Sequence, residues 1–459
     1  MHDSAAERMS STERRAAAGL AAVFSFRMLG LFMVLPVLAT YGQELIGATP
    51  LLIGLAIGAY GLTQAVLQIP FGILSDRIGR VPVIYAGLLL FAAGAVVAAL
   101  SDSIWGVIAG RVLQGAGAIS AAVMALLSDV TREQHRTKAM AGIGMSIGLS
   151  FAVAMVVGPL LTRAFGLSGL FWATAVMALV GIVITAAVPR PSARLQHRES
   201  GVARHALTPT LRHVELLRLN FGIAALHAIL MATFVALPLA LIEQGGLPRE
   251  SHWWVYLSAM GLGFFGMIPF IIYGEKKRHM KRVLTGAVAA LFACELFFWL
   301  FGTSLTGLLI GAVLFFVAFN LLEASLPSLV SKIAPAGGKG TAMGVYATSQ
   351  FLGAALGGLL GGWLFQVGGV TAVFLGCALV AMAWLLIAAN MQEPPYVTSW
   401  RFSLPIGLDE GMLVARLKAV SGVADVMVAV EEAAIYVKAD KQKVDNNELE
   451  RLINSAFTS

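Results

Sequence analysis

Five ionisable side chains lie inside long apolar stretches of this sequence, where a nonpolar surrounding makes them costly. They are Arg27, Arg111, His227, Glu295 and Glu323. Because lipid selects against such groups, each is a candidate functional residue. The chemistry open to this set is proton exchange by carboxyl and imidazole groups, and charge stabilisation by guanidinium groups.

Glu323 is the first candidate for a proton carrier. A carboxyl group in a low-dielectric cavity can load and release a proton under physiological conditions. Asn320 lies three residues earlier and shares a helix face with Glu323. His227 is the candidate partner or second titrating group. For both Glu323 and His227 the alternative is a satisfied structural hydrogen bond.

The elements that position these residues are membrane-spanning helices. An apolar run of about 20 residues crosses a bilayer, and we predict twelve such spans. In chain order they cover 16–40, 51–74, 82–100, 103–127, 138–163, 167–188, 219–243, 253–273, 282–301, 305–331, 340–366 and 369–391. The composition agrees, because a chain that is 58% hydrophobic and 12% charged cannot cover a soluble surface of this size.

Positive charges alternate between the loops. Lysine and arginine cluster in the even-numbered loops and at both ends, whereas the odd-numbered loops nearly lack them. The exceptions are Arg27, Arg111, Arg163 and Arg249. The positive-inside rule therefore predicts cytoplasmic termini. It also places the net charge of +7 on the cytoplasmic membrane face, so that nucleic-acid binding is not needed to explain it.

The two halves of the membrane region resemble each other when Pro36 is placed on Pro238. Parallel repeats of this kind form a substrate site between the halves, near the bilayer midplane. The expected domains are a cytoplasmic N-terminal tail (1–15), a six-helix bundle (16–188), a cytoplasmic linker (189–218), a second six-helix bundle (219–391) and a soluble domain (397–459). No cleaved signal peptide is expected before the first span.

The sharpest motif, GILSDRIGR over residues 72–80, connects spans two and three. It resembles the G-x-L-x-D-R-x-G-R signature of the major facilitator superfamily through Gly72, Asp76, Arg77, Gly79 and Arg80. The resemblance implies twelve helices that transport by alternating access. An ordinary tight turn that only fixes topology is the alternative.

In this family the motif acts as a latch between spans two and eleven in the outward-facing state. By resemblance, Asp76 would meet the start of span eleven near Gly340 and Thr341, and Asp129 would pair with the loop arginines. Val81 stands where many members carry another basic residue.

Spans one, four, seven and ten line the central cavity in this family. The resemblance therefore places Arg27, Arg111, Asn320, His227 and Glu323 there. The sequence RVLQGAGA from Arg111 is similar to the family's R-x-x-x-G-x-G motif. For Arg111 the alternative is a structural clamp onto backbone carbonyls of span one. Span nine is usually peripheral, so a structural contact is expected for Glu295.

Span five resembles the family's antiporter motif only in part. Gly148, Gly158 and Pro159 match it, but the glycine pair that usually follows is replaced by Leu160 and Leu161. Simple close packing of helices explains the same glycines. The drug-antiporter assignment is therefore less specific than the superfamily assignment.

After Pro395 the composition becomes that of a small soluble domain. The pattern predicts strands at 397–404, 424–431 and 433–439 and helices at 409–420 and 445–455, which is most of a ferredoxin-like unit. No cysteine lies in loop 404–408, which excludes the metal site of heavy-metal-associated domains. A chain with this appendage resembles the YajR branch of the superfamily, a proton-driven efflux group whose extra domain is called YAM.

The missing final strand would leave one sheet edge open for self-association. A regulatory or dimer-forming module and a passive tail are both open readings of this domain.

We therefore expect a multi-pass inner-membrane transporter of bacterial type that couples protons to export of a small, amphipathic molecule. A sugar or metabolite transporter and a non-transporting sensor are the alternatives. No nucleotide-binding loop, nucleophile constellation or metal-ligand cluster indicates an enzyme or an ATP-driven pump. We expect no metal and no cofactor beyond the coupled proton. Cys294 and Cys377 are expected to be small buried hydrophobes.

Overall fold

The fold is given by a computed structural model that describes residues 9–189, 204–335, 338–403, 410–429, 434–440 and 443–444. Thirteen helices of the described residues precede the small C-terminal domain: α1 (Ser11–Phe32), α2 (Leu35–Tyr41), α3 (Pro50–Ile78), α4 (Arg80–Ala99), α5 (Ile104–Ala116), α6 (Ser120–Val130), α7 (Glu133–Ala187), α8 (Arg204–Arg212), α9 (Val214–Glu243), α10 (His252–Lys276), α11 (Met280–Phe301), α12 (Leu305–Ile333) and α13 (Lys339–Ala389). The short α8 is a connector, and the others form the membrane region. The small C-terminal domain follows with β1 (Thr398–Ser403), α14 (Glu410–Ala419), β2 (Val423–Ala429) and β3 (Ala434–Ala439).

Ten helical stretches of the described chain are long and apolar enough to cross a membrane. Two of them, α7 and α13, contain 55 and 51 residues, which is enough for two spans each. Each bends at glycine, at Gly166 in α7 and at Gly368 and Gly369 in α13, where the backbone leaves the helical region. The described chain therefore has the predicted fold class of twelve spans in two six-helix halves.

The spans alternate between two faces of the bundle. We call the face with Ser11 and the turn at Gly79 the terminal face, and the face with loops 42–49, 100–103 and 244–251 the distal face. Spans one and four are each interrupted, between α1 and α2 and between α5 and α6. The first interruption precedes Pro36, whose missing N–H cannot continue the helical ladder.

The two halves touch most closely where α3 crosses α13. A side chain at Gly54 or Gly58 would collide with the backbone at Gly358 or Ala355, so the helices approach without intervening side chains. This contact runs from Pro50 near the distal face to Gly61 in mid-span. Further along α3, the neighbour of Gly72 is Ala121 of the same half. The halves are thus packed together on the distal side.

The segment predicted as a linker, 189–218, contains more helix than expected. The helix α8 lies within it, and α9 begins at Val214, before the predicted start of span seven. Polar residues extend α9 because Arg218 donates to Glu215 (2.6 Å) and to the backbone carbonyl of Asn390 (2.7 Å). A helix can continue past the end of its lipid contact when such pairs support it. Residues 1–8 of the predicted tail and residues 190–203 lie outside the described chain.

The soluble domain is a small antiparallel sheet with one helix packed on it. The strand order is β1-β3-β2, with Trp400 opposite Val437 and Val426 opposite the same residue on the other side. Leu417 of α14 and Ile435 of β3 are fully buried in its core. The predicted helix at 445–455 and the loop at 404–408 lie outside the described residues.

This domain is fixed to the terminal face of the second half. Asp440 accepts two hydrogen bonds from the guanidinium of Arg278, both 2.9 Å. The Asp440 carboxylate raises the pKa of Arg278 above its ordinary value. The ammonium group of Lys438 donates to backbone carbonyls at the C-terminal end of α12, those of Ala334 and Lys332 (3.1 Å). The phenol oxygen of Tyr396 accepts from the backbone N–H of Met280 (2.9 Å).

Candidate functional site

Glu323 lies in the middle of α12, and its side chain is 36% exposed despite its depth in the membrane region. Its Oε2 atom is buried, so the exposed part is the rest of the side chain. Because the halves pack together on the distal side, we infer that this exposure comes from a crevice between the halves on the terminal side. Pro327 follows four residues later and has no N–H to donate to the carbonyl of Glu323. The helix thus supplies, at one depth, an acid and a backbone carbonyl that receives no bond from residue 327.

His227 of α9 faces Glu323, with 3.9 Å between its Nε2 atom and the Oε2 atom of Glu323. The imidazole is buried, and its Nδ1 atom lies 3.3 Å from the carbonyl of Ile223 one turn earlier. A carbonyl accepts only, so Nδ1 carries the hydrogen and Nε2 is left as an acceptor. The structure therefore brings together the two residues that the sequence proposes for proton exchange.

A third residue, Gln350 of α13, completes this cluster. Its amide nitrogen donates to His227 Nε2 (2.8 Å) and to Glu323 Oε1 (3.4 Å). Because a primary amide has two hydrogens, one nitrogen can serve both acceptors at once. Three helices of the second half are thereby joined at one polar point, which we call the polar triad: Glu323, His227 and Gln350.

Asn320 lies one turn before Glu323 on the same helix face. Its amide nitrogen is buried and has no hydrogen-bond partner among the described residues. Such a donor is costly unless water or a ligand satisfies it. Asn320 is thus positioned to add a donor beside the triad.

Phenylalanine side chains close the crevice on the distal side of the triad. Phe151 of α7, in the first half, contacts Phe319 and Phe316 of α12, in the second half, with ring centroids 5.7 and 6.2 Å apart. The ring of Phe319 also lies 6.1 Å from the imidazole of His227. The polar triad therefore lies directly beneath an apolar layer that spans both halves.

The two arginines of the first half occupy a different place, inside that half. Arg27 is 1% exposed and donates to Ser120 (2.7 Å) and to Gln64, which in turn donates to Gln68. Arg27 also lies over the ring of Tyr60, with its guanidinium carbon 5.7 Å from the ring centre. These contacts join α1, α3 and α6.

Arg111 is fully buried and also lies over the ring of Tyr60. Its guanidinium carbon lies 5.1 Å from the Tyr60 ring centre, and it donates to Gln114 (3.0 Å) and to the carbonyl of Ala56 (3.4 Å). The carbonyl belongs to α3 and not to span one. In this conformation the geometry is that of a clamp between α5 and α3, at a distance from the crevice surface.

The motif between α3 and α4 forms a compact charged cluster at the terminal face. Arg80 pairs with Asp76, donates to Ser75 (2.8 Å) and lies 3.4 Å from Asp129 of α6. Gly79 ends α3 with φ of +98°, a conformation that only glycine adopts easily. Arg77 and Gly72 lie in the last turns of α3.

Asp76 therefore forms its ion pair with Arg80, a residue of the same half. The close contacts that the glycines of α3 make with α13 reach from Gly54 to Gly61, whose neighbour is Phe351 and not the start of α13 at Lys339. The latch with span eleven stays a prediction for a conformation closed at the terminal face.

The motif glycines of span five divide into two kinds. A side chain at Gly158 would collide with the backbone of Met33, so this glycine, with Pro159 beside it, sets the close packing of α7 on span one. Gly148 has open space beside it. Only the first is therefore explained by packing in this conformation.

Glu295 is completely buried in α11, away from the polar triad. It accepts from the hydroxyl of Thr233 on α9 (3.3 Å). Cys294 and Cys377 are buried free thiols. No group of three metal-ligating side chains able to hold a metal ion occurs among the described residues.

Sequence reasoning missed Gln350, Gln64 and Tyr60 because the search counted arginine, histidine and glutamate side chains and added Asn320 only as a neighbour of Glu323. Amide side chains in an apolar helix carry the same information, since their polar atoms also need partners. A count of every strongly polar side chain in the spans would have found Gln350.

Comparisons with known proteins agree with this architecture. The sequence profile of the Major Facilitator Superfamily matches residues 20–358. The inner membrane transport protein YajR of Escherichia coli (strain K12) is 55% identical over 452 residues, covering 98% of this chain and 99% of its own length. The multidrug resistance protein MdtH of Edwardsiella ictaluri (strain 93-146) is 25% identical, with 83% and 92% covered. The crystal structure of the human organic anion transporter TETRAN has the same fold, with a TM-score of 0.59, 20% identity, and 83% and 100% covered.

Proposed function

This chain belongs to the Major Facilitator Superfamily, and we propose that it is a proton-coupled transporter that exports a small amphipathic molecule by alternating access. The observation that carries the proposal is the polar triad. One amide is hydrogen-bonded to both a carboxyl group and an imidazole, which lie 3.9 Å apart, at the end of a crevice in an otherwise apolar region. Such groups inside a membrane are kept for ion or substrate pathways.

The triad supplies a binding site for one exchangeable proton. Glu323 has one oxygen on Gln350 and the other oxygen 3.9 Å from His227. A closer approach of these two side chains to hydrogen-bond distance would let a proton on the carboxyl group pass to the imidazole. His227 is neutral in the hydrogen-bonding pattern observed, and its Nε2 atom is the acceptor. Protonation at Nε2 requires the Gln350 amide to turn its oxygen toward the ring. Movement of the proton is thereby linked to α13, which also forms the contact between the halves.

The same geometry supports an amphipathic substrate. The apolar layer of Phe151, Phe316 and Phe319 lies on one side of the triad, and the crevice lies on the other. A molecule seated there would contact rings with one part and polar groups with the other. The name of the relative MdtH, a multidrug resistance protein, supports export over uptake.

We also propose that the terminal face is cytoplasmic, because lysine and arginine concentrate there. In this orientation the structure is open to the cytoplasm. The substrate would enter the crevice from inside the cell as the proton leaves Glu323. Proton entry from the distal side would then reload the carboxyl group after substrate release.

The test uses purified protein in liposomes that contain a pH-sensitive dye. A pH gradient is imposed, a panel of amphipathic compounds and sugars is added, and Glu323→Gln is compared with wild type. We expect substrate-dependent proton flux that is lost in Glu323→Gln, because an amide cannot carry the proton. Glu295→Gln is the matched control, since it neutralises another acid inside the apolar spans, which hydrogen-bonds only Thr233 among the described residues.

Equal loss of flux in both variants would contradict a specific role for Glu323. Flux that survives in Glu323→Gln but disappears in His227→Gln would move the proton site to the imidazole. Substrate flux that never moves protons would leave a transporter without proton coupling and remove this part of the proposal.

A further inference from the structure

The distal face carries two arginines, Arg163 and Arg249, that the charge pattern of the loops does not explain. Arg249 lies in the loop between α9 and α10, on the face where positive charge is otherwise rare. A cation there works against the topology rule that the remaining loops follow. Its retention calls for a local interaction.

Arg249 bridges the two halves. Its Nη1 atom donates to Glu44 Oε1 at 2.6 Å, and its guanidinium carbon lies 4.0 Å above the ring centre of Tyr41. Tyr41 ends α2, and Glu44 lies in the turn that follows it, both in the first half. We name Arg249, Glu44 and Tyr41 the distal clamp.

The clamp differs from two charged contacts that the described residues make at the terminal face, each of which joins elements of one half. Arg80 with Asp129 and Arg132 with Glu13 both join elements of the first half. At the distal face, by contrast, the polar contacts cross between halves, including a weaker one from the backbone of Leu51 to Gln366 (3.4 Å). Polar contacts that cross the halves thus lie on the closed side of the molecule.

Opening of the distal face must break the clamp. The halves would separate along α3 and α13, and the end of α2 would move away from the α9–α10 loop. An ion pair can hold one conformation only if it is absent from the other. The short hydrogen bond and the cation–π contact are both made only while these loops touch.

We propose that the distal clamp is a latch that holds the distal face closed and sets how much of the protein occupies this conformation. The proposal rests on alternating access in the proposed function, but its test needs neither a substrate nor a proton gradient. Because the ion pair is partly exposed, with side chains 32% and 65% exposed, its loss should change the population ratio about three- to tenfold.

The experiment measures the opening of the distal face directly. Spin labels are placed at Trp105→Cys, at the start of α5 in the first half, and at Thr303→Cys, in the α11–α12 loop of the second half. Both positions are exposed. The native Cys294 and Cys377 are 2% and 3% exposed and stay unlabelled. Double electron–electron resonance on the full chain in nanodiscs then gives the populations of short and long distances.

We expect Arg249→Gln and Glu44→Gln each to raise the long-distance population about three- to tenfold. The double variant should equal Arg249→Gln, because the Glu44 substitution removes nothing further once its partner is gone. Glu250→Gln is the matched control: it also removes an ion pair of Arg249 (3.4 Å), but one within the same loop. Its distance distribution should match that of wild type.

Unchanged distances in both single variants, additive effects in the double variant, or an equal shift in Glu250→Gln would each overturn the latch. Thermal unfolding identifies any variant that fails to fold. Tyr41→Leu then provides a second route, since it removes the ring and leaves both charges in place. A distance shift without any proton flux would keep the latch while contradicting the proton-coupled function.

Discussion

Gln350 shows at the residue scale what the sequence could and could not predict. The positions of Glu323 and His227 in spans ten and seven predicted that they could meet, and they do lie 3.9 Å apart. The residue that joins them is on a third helix, more than 20 positions further along the chain, and carries no charge. Helix rotation decides which polar side chain of span eleven faces the pair, and a sequence without an alignment does not specify it.

Replacement of Gln350 by leucine should uncouple the triad. Leucine fills a similar volume but leaves His227 and Glu323 without their shared donor, and unsatisfied buried polar groups cost about 1 to 3 kcal/mol. We expect substrate-dependent proton flux to fall about tenfold or more in the liposome assay. Ser349→Ala is the matched control, because that hydroxyl donates only to the Val345 carbonyl within its own helix. Similar losses in the two variants would mean that α13 tolerates no change there, and would contradict a specific role for the amide.

Arg27 and Arg111, unlike Glu323 and His227, do not lie where the sequence analysis placed them. Spacing along their spans identified them as costly charges, and the family resemblance placed them in a cavity. In this conformation both lie over the Tyr60 ring within the first half instead. A guanidinium has five donors and a planar face, so carbonyl, amide and aromatic partners can replace a carboxylate.

At the element scale, apolar length predicted every span, because a span is defined by the thickness of the bilayer. The same reasoning does not tell whether two successive spans are separated or share one bent helix. Gly166, with φ of +70°, and Gly369, with φ of +63°, provide the bends inside α7 and α13. Both bends are possible because glycine adopts positive φ without steric cost, but tertiary packing decides at which glycine the helix bends.

The α3–α13 contact provides a prediction at this scale. A methyl group at Gly54 would collide with the carbonyl of Gly358 and the backbone of Gly362. Gly54→Ala should therefore push the halves apart at the distal face and raise the long-distance population in the spin-label experiment. Such overpacking typically costs about 1 to 3 kcal/mol, so the thermal midpoint in detergent should fall as well.

Gly148→Ala is the control for this change, because the space beside Gly148 is open. It should leave both the distance distribution and the thermal midpoint unchanged, or raise the midpoint slightly through helix propensity. If Gly54→Ala behaved like Gly148→Ala, close contact of α3 and α13 would not limit distal opening.

At the scale of the whole molecule, the soluble domain is connected to the helix that carries Glu323. Lys438 donates to carbonyls at the C-terminal end of α12, where the helix dipole favours a cation. The sequence predicted the domain from its charged composition and period-two strands, since these depend on local pattern. It could not predict this docking, which depends on single side chains of residues far apart in the chain.

Arg278, at the same interface, has an unusual backbone conformation. Among the described non-glycine residues it is the one with a positive φ, of 56°. A strained conformation of this kind costs about 1 to 3 kcal/mol and persists where surrounding contacts fix it. The two hydrogen bonds to Asp440 are such contacts. Self-association of the domain through an open sheet edge stays a prediction, which mass photometry of the full chain in nanodiscs can test.

Release of the soluble domain should be visible at the loop it covers. In the double variant Lys438→Met and Asp440→Ala, the anchors on α12 and Arg278 are both removed. We expect faster hydrogen–deuterium exchange at residues 278–282, because the Met280 N–H would lose its bond to Tyr396 as the domain departs. Lys418→Ala, an exposed change on α14 of the same domain, should leave this exchange unchanged. Exchange at the loop as slow as in wild type would show that the domain is held by other contacts. Faster exchange throughout residues 398–440 would instead indicate an unfolded domain, and would contradict docking by these two side chains as the cause.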